Sequence, residues 1–184
     1  MLPLAHMGIT VTLAQVIENR LKSLVVDYRL LLVASLLPDI IDKPIGYLIF
    51  GGSLFSSKIY GHTLLFLLFL GIVGLVSWNR GRNIAPLILF AGTFAHDILD
   101  VMWRHPETFL WPLYGWAFVT PVHEAWGGVI RIATFFIPKL VILEIVGGFL
   151  VIRFLIIIAR TNGLHSFLKN GKVSLASTEN NSVY

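Results

Sequence analysis

The residues of this chain best suited to chemistry are histidines and aspartates set among apolar neighbours. The stretch Gly92 to Asp100 (G-T-F-A-H-D-I-L-D) places His96 and Asp100 four residues apart. On a helix they share one face and can grip one ion, because side chains at i and i+4 point the same way. Asp97 points about 100° away. Titratable groups are costly in hydrocarbon, so an apolar run holding three of them requires partners or water. Further polar groups recur near the ends of the other apolar runs: His6 early in the first, Asp39 just past the second, and His62 at the start of the third. Three imidazoles and two carboxylates suit a divalent ion, zinc first, with manganese and iron as alternatives. A catalytic site of this type keeps a position for water and lowers its pKa toward neutrality. Asp42, one turn beyond Asp39, is expected to support a ligand, bridge two ions or act as general base. The metal candidates are therefore His6, Asp39, His62, His96 and Asp100, and the catalytic candidates Asp39 and Asp42. With no cysteine, thiolate ligation and disulfides are excluded.

Each of these residues also has a structural reading. His96 with Asp100 makes a hydrogen-bonded pair pinning two helices, Asp39 after Pro38 caps a helix, and Asp42 with Lys43 forms an ion pair of little worth. Asp97 is expected to pair with Arg104 further along the chain. His105, His123 and Glu124 fall in an aromatic segment, where solvation at the membrane surface is the simpler expectation.

The elements that must position these groups follow from composition. The 184 residues are 56% hydrophobic and 13% charged, and the mean hydropathy is +0.80. A soluble domain carries roughly 25% charge, so the deficit predicts an integral membrane protein. The expected fold is all-α: a polytopic transmembrane bundle of about five apolar helices, two of them short, with an interfacial aromatic cap. Leu4 to Ile17 and Leu30 to Leu37 are the short ones. Pro38 ends the second, and Asp39 to Lys58 reads as loop with a short helix around Ile45 to Phe50. Ile59 to Trp78 and Ile84 to Trp103 form a hairpin around the basic turn N-R-G-R-N, which returns His96 and Asp100 to the side where His62 begins. Arg104 to Lys139, with Trp111, Pro112 and Trp116, is the cap. Leu140 to Ala159 is the last span, and its Glu144 and Arg153, about 13 Å apart on a helix, each need a partner elsewhere. Residues 1–160 thus form the membrane domain and 161–184 a polar, flexible tail. The N-terminal segment lacks a basic n-region and is expected to stay in the mature chain.

A formal charge of +4 and a pI near 9.6 raise the question of nucleic acid. The basic residues are scattered over short connections rather than gathered in a stripe, so they read as topology signals, and no nucleic-acid partner is expected. Arg20, Lys22, Arg29, Arg80, Arg82 and Arg160 fall on one side, which predicts a cytoplasmic C-terminus and a site at the outer face.

Four ordered motifs carry a resemblance. S-L-L-P-D-I-I-D-K-P (Ser35 to Pro44), G-H-T-L-L-F (Gly61 to Phe66), A-H-D-I-L-D (Ala95 to Asp100) and F-L-W-P-L-Y-G-W (Phe109 to Trp116) resemble the membrane-bound metal-dependent hydrolases. That family is also described as LexA-binding and inner-membrane-associated. The resemblance implies that His6, Asp39, His62, His96 and Asp100 form the polar core of a site in an inner membrane. Many members have P-D-x-D-H where this chain has Asp42 followed by Lys43, and R-x-x-T-H-S where it has K-I-Y-G-H-T. The function expected is hydrolysis of a lipid-like or phosphoester substrate by metal-activated water at the bilayer surface. Absence of a G-x-S-x-G elbow and of a Walker loop argues against serine esterase and nucleotide chemistry. The rival from another class is a non-enzymatic membrane protein that carries or senses a divalent ion, or uses the cluster structurally.

Overall fold

The first apolar run folds as α1, Pro3–Arg20, beginning at a proline whose missing N–H is no loss in a first turn and ending on a basic residue. It is part of a computed structural model that describes residues 3–21, 24–49, 58–118 and 138–173. Among these residues every regular element is a helix. His123 and Glu124 lie outside them.

The second run is short, as expected: α2 spans Tyr28–Ala34 and is capped by Asp27, whose carboxylate accepts from Arg29 N and Leu30 N. A turn at Ser35 and Leu36 separates it from α3, Leu37–Ile49. Here the structure differs from the loop expected beyond Asp39. Pro38 and Asp39 occupy the first turn of a new helix, where proline costs no hydrogen bond and an acid favours the dipole. The helix then continues through Pro44, which lies within it.

The hairpin is present with shifted boundaries. Thr63 caps α4, Leu64–Gly81, by accepting from Phe66 N through Oγ1 at 3.1 Å. His62 therefore sits in the turn ahead of the helix rather than inside a run starting at Ile59. Arg82 closes α4 in the left-handed conformation, with its guanidinium 5.0 Å from the Trp78 ring centroid. The chain returns as α5, Ala85–Leu99, with Asp100 as its C-cap, so this helix stops short of Trp103. A 3-10 turn at Met102–Arg104 and the short α6, Pro106–Phe109, follow.

The last long helix is α7, Pro138–Arg160. Its two charged interior residues find their partners on α1: Glu144 accepts from Leu4 N and Ala5 N, both at 3.0 Å, and Arg153 Nη1 donates to Gln15 Oε1 at 3.3 Å. The order of these contacts makes α1 and α7 parallel. They cross closely, since a methyl on Gly8 would overlap the Gly147 carbonyl and one on Gly147 would overlap the Ala5 backbone. From residue 161 the described chain includes α8, Leu164–Asn170. Gly171 O then accepts from Tyr28 N at 2.9 Å, and Val173 is buried in a core with Tyr28 and Phe154.

Outside the apolar core around Tyr28 and Phe154, apolar side chains line much of the surface and polar ones are buried. Leu65, Leu68, Phe69 and Ile72 on α4 and Ile142, Ile145, Phe149 and Ile152 on α7 are exposed. His6, Thr10, Asp42, His62, Thr93, His96 and Asp97 are buried. Exposed apolar helices around a polar interior are what a hydrocarbon solvent selects. Two helices, Leu64–Gly81 and Leu140–Arg160, are long and apolar enough to cross a membrane, and α5 is a shorter apolar helix.

Candidate metal centre

The site is assembled from helix ends. The first turns of α1 and α3, the turn before α4 and the last turn of α5 bring His6, Asp39, His62, His96 and Asp100 to one end of the bundle.

Backbone and carboxylate acceptors orient two of the imidazoles. His96 Nδ1 lies 2.7 Å from Ser35 O, a carbonyl that can only accept, so Nδ1 carries the proton. His62 Nδ1 lies 2.6 Å from Asp42 Oδ2. Asp42 is fully buried and has both oxygens engaged, Oδ2 also by Ile59 N at 2.7 Å and Oδ1 by Gly61 N at 2.6 Å. This brace fixes the turn that carries His62. Gly61 is required there, because a Cβ would come within 2.9 Å of the Pro38 backbone and 3.0 Å of Asp42 Oδ1.

With both Nδ1 atoms committed, His62 Nε2 and His96 Nε2 face each other at 3.2 Å. At that distance the two nitrogens share either a proton, as an N–H···N hydrogen bond, or a metal cation. Acidic oxygens surround the pair: Asp39 Oδ1 is 3.9 Å from His62 Nε2, and Asp100 Oδ2 is 3.9 Å from both nitrogens. His6 stacks on His96 with ring centroids 3.9 Å apart and places Nε2 3.2 Å from Asp100 Oδ1. Two groups of ligand atoms lie within 4.8 Å of one another, His6 with His96 and Asp100, and Asp39 with His62 and His96. Four ligands at zinc distances of about 2.0–2.1 Å in a tetrahedron stand roughly 3.3 Å apart; the two Nε2 atoms match that at 3.2 Å, the carboxylate oxygens stand wider at 3.9 Å, and the donor types suit a divalent ion. His6 Nδ1 makes no hydrogen bond among the described residues.

Other expectations fare differently. Asp97 is buried with both oxygens lacking a hydrogen-bond partner among the described residues, so the pair expected with Arg104 is not made. Trp111 belongs to an aromatic cluster, edge-on to Tyr60 and Trp116 and stacked on Phe118. Trp116 itself is exposed. Two lysines reach the site: Lys43, whose structural reading paired it with Asp42, meets Asp39 instead, and Lys58 meets Asp100. Lys43 follows Asp39 by one helical turn, a spacing that announces such a pair.

Fold and site together define an α-helical membrane protein with a buried cluster of histidine and aspartate at one end. The chain belongs to the YdjM inner membrane protein family, whose family model matches residues 1–166. No curated protein and no solved structure matches it.

Proposed function

We propose that this protein is a membrane-embedded metal-dependent hydrolase whose substrate, a lipid-like molecule or other phosphoester, approaches from the bilayer surface. One observation carries the metal reading above the rest: the Nε2 atoms of His62 and His96 lie 3.2 Å apart, flanked by carboxylates. His62, His96, Asp39 and Asp100 would hold the ion, with His6 completing the set through Asp100. What a divalent ion supplies in such a site is Lewis acidity, polarising an ester or phosphoryl oxygen and making water acidic enough to lose a proton near neutrality.

The chain's own residues divide the remaining work. Asp42 has no free oxygen, so it fits a positioning role, holding His62 in the tautomer that exposes Nε2, rather than that of general base. Asp39 is the most exposed of the candidate ligands, with 15% of its side chain accessible, and Lys43 Nζ holds its Oδ2 at 2.7 Å while Oδ1 faces His62. The buried imidazoles keep bulk water from the ligand side. The basic residues at the opposite end, including Arg20, Arg80 and Arg160, support a cytoplasmic C-terminus and a site on the outer face.

Metal analysis of the detergent-purified chain tests this reading. About one or more equivalents of transition metal are expected, lost in His62→Ala and His96→Ala. A metal-free protein whose thermal stability ignores His96→Ala would leave only a structural role for the cluster, the rival that full burial of the three imidazoles favours. For a metal-bearing protein, hydrolysis of phosphoesters or lipid esters, abolished by Asp39→Asn, separates enzyme from carrier. Ion flux into proteoliposomes without any hydrolysis would select the carrier.

A further inference from the structure

Arg153 sits on the apolar α7 with an incomplete set of partners. Its neighbours Ile152, Leu155 and Ile156 are exposed, and Arg153 is exposed among them. Among the described residues its one hydrogen bond goes to a neutral amide, Gln15 Oε1 at 3.3 Å, and no carboxylate pairs with it. Gln15 is buried, and its Nε2 makes no hydrogen bond among the described residues. A guanidinium brings five N–H donors and an amide two more, so what this place lacks is acceptors. Two further arginines stand at the same end of the bundle. Because α1 and α7 run parallel and in contact, their last residues, Arg20 and Arg160, lie at one end, and both are exposed and without an ion pair among the described residues. Arg153 precedes Arg160 by about 10 Å of helix, much of which a long cationic side chain covers by snorkelling toward headgroups. The acids of this end are already engaged: Glu18 accepts from Val26 N and Tyr28 Oη, and Asp27 pairs with Arg29.

We propose that Arg153, with Arg20 and Arg160, binds the phosphate of an anionic phospholipid whose acyl chains lie along the exposed apolar faces of α1 and α7. A guanidinium within a membrane span is costly unless an opposite charge meets it, and the chain supplies none here. Phosphate meets the need in charge and in shape, since its oxygens accept two parallel N–H bonds from one arginine. A lipid is the form of phosphate that also brings hydrocarbon to Val16 and Ile17 on α1 and to Ile152, Leu155 and Ile156 on α7, all of them exposed. Basic residues between helices at a membrane boundary take anionic headgroups for these reasons. The site lies at the opposite end of the bundle from the metal centre and does not depend on it.

The test titrates the full chain in a neutral detergent with phosphatidylglycerol and, separately, with phosphatidylcholine, reading bound lipid by native mass spectrometry. The parent should prefer phosphatidylglycerol. Arg153→Leu should weaken that binding about tenfold, the loss of one charge-assisted contact. Adding Arg20→Gln and Arg160→Gln should abolish the preference. If Arg153→Leu does not fold, Arg153→Gln, which keeps a donor for Gln15 and removes the charge, carries the same expectation. Gln15→Leu, which removes the amide and keeps the guanidinium, should retain the preference for the anionic lipid. Arg80→Leu, at the same end but on α4, should leave the affinity at the parent value. A preference that survives the triple variant overturns the proposal. An equal loss in Arg80→Leu also overturns it, because attraction would then belong to the basic surface as a whole. Displacement of the lipid by an equimolar amount of inorganic phosphate would assign the arginines to free phosphate and overturn the lipid site. A dimer that Arg153→Leu dissolves in lipid-free detergent would do the same in favour of a carboxylate from a second copy of the chain.

Discussion

Asp42 and His62 meet at 2.6 Å, both fully buried, where the turn before α4 folds back onto α3. The same carboxylate accepts two backbone N–H groups of that turn, so one side chain fixes the loop, the imidazole's position and its tautomer.

In the metal centre proposed above, removing that brace should weaken metal binding before it unfolds the protein. Asp42→Asn is expected to weaken zinc binding by about 10–100-fold, the usual cost of losing a carboxylate behind a ligating histidine. Asp42→Ala, which strips the acceptors from Ile59 N and Gly61 N as well, should also lower the melting temperature. A competition titration against a chelator, run beside thermal unfolding in detergent, checks both. Zinc affinity equal to the parent in Asp42→Asn would separate the dyad from the metal.

Glu144 anchors the helix end that carries His6. Its two oxygens take the N–H groups of Leu4 and Ala5, donors that the first turn of α1 cannot satisfy internally, and a carboxylate there also complements the helix dipole. Glu144→Ala should cost about 1–2 kcal/mol, the scale of a lost N-terminal cap. Glu144→Gln, which keeps an acceptor and loses the charge, should cost less. Ring resonances of His6 should broaden in Glu144→Ala while those of His96, on another helix, stay sharp. Equal stability of parent and Glu144→Ala would refute the capping role.

At the opposite end of the bundle, Asp27 supplies the pH dependence. Arg29, hydrogen-bonded to its carboxylate, is the largest influence and holds its pKa below the ordinary 3.8, against the opposing effect of burial. A carboxylate with a depressed folded-state pKa contributes stability that is fully present above the unfolded value and lost as pH falls through the folded one. The stability gap between the parent and Asp27→Asn should therefore be flat from about pH 7 to pH 5 and close below about pH 4. Melting curves across that range check it, and a gap that widens on acidification would contradict the assignment. The pair is partly exposed, so the gap should be small and shrink in high salt.

By itself the sequence determined the solvent this chain folds in and the end of the bundle where its polar residues gather. A low charge fraction and apolar runs of span length dictate helices, because only internally bonded backbone survives in hydrocarbon, and helix parity returns His96 and Asp100 to the side of His62. Local signals also set Asp100 one turn beyond His96, whereas the cap at Thr63 shortened the run expected from Ile59. Tertiary structure alone decided which atoms face each other. That Asp42 is spent on Ile59 N, Gly61 N and His62 depends on a turn packing against a separate helix, and so does the pairing of Glu144 with a helix end about 140 residues away. The continuation of α3 through Pro44 and the isolation of Asp97 from Arg104 belong to the same class. Period and propensity act within a few residues, whereas these contacts are chosen by how helices dock, and docking is settled by shape and by buried polar groups finding partners across the whole chain.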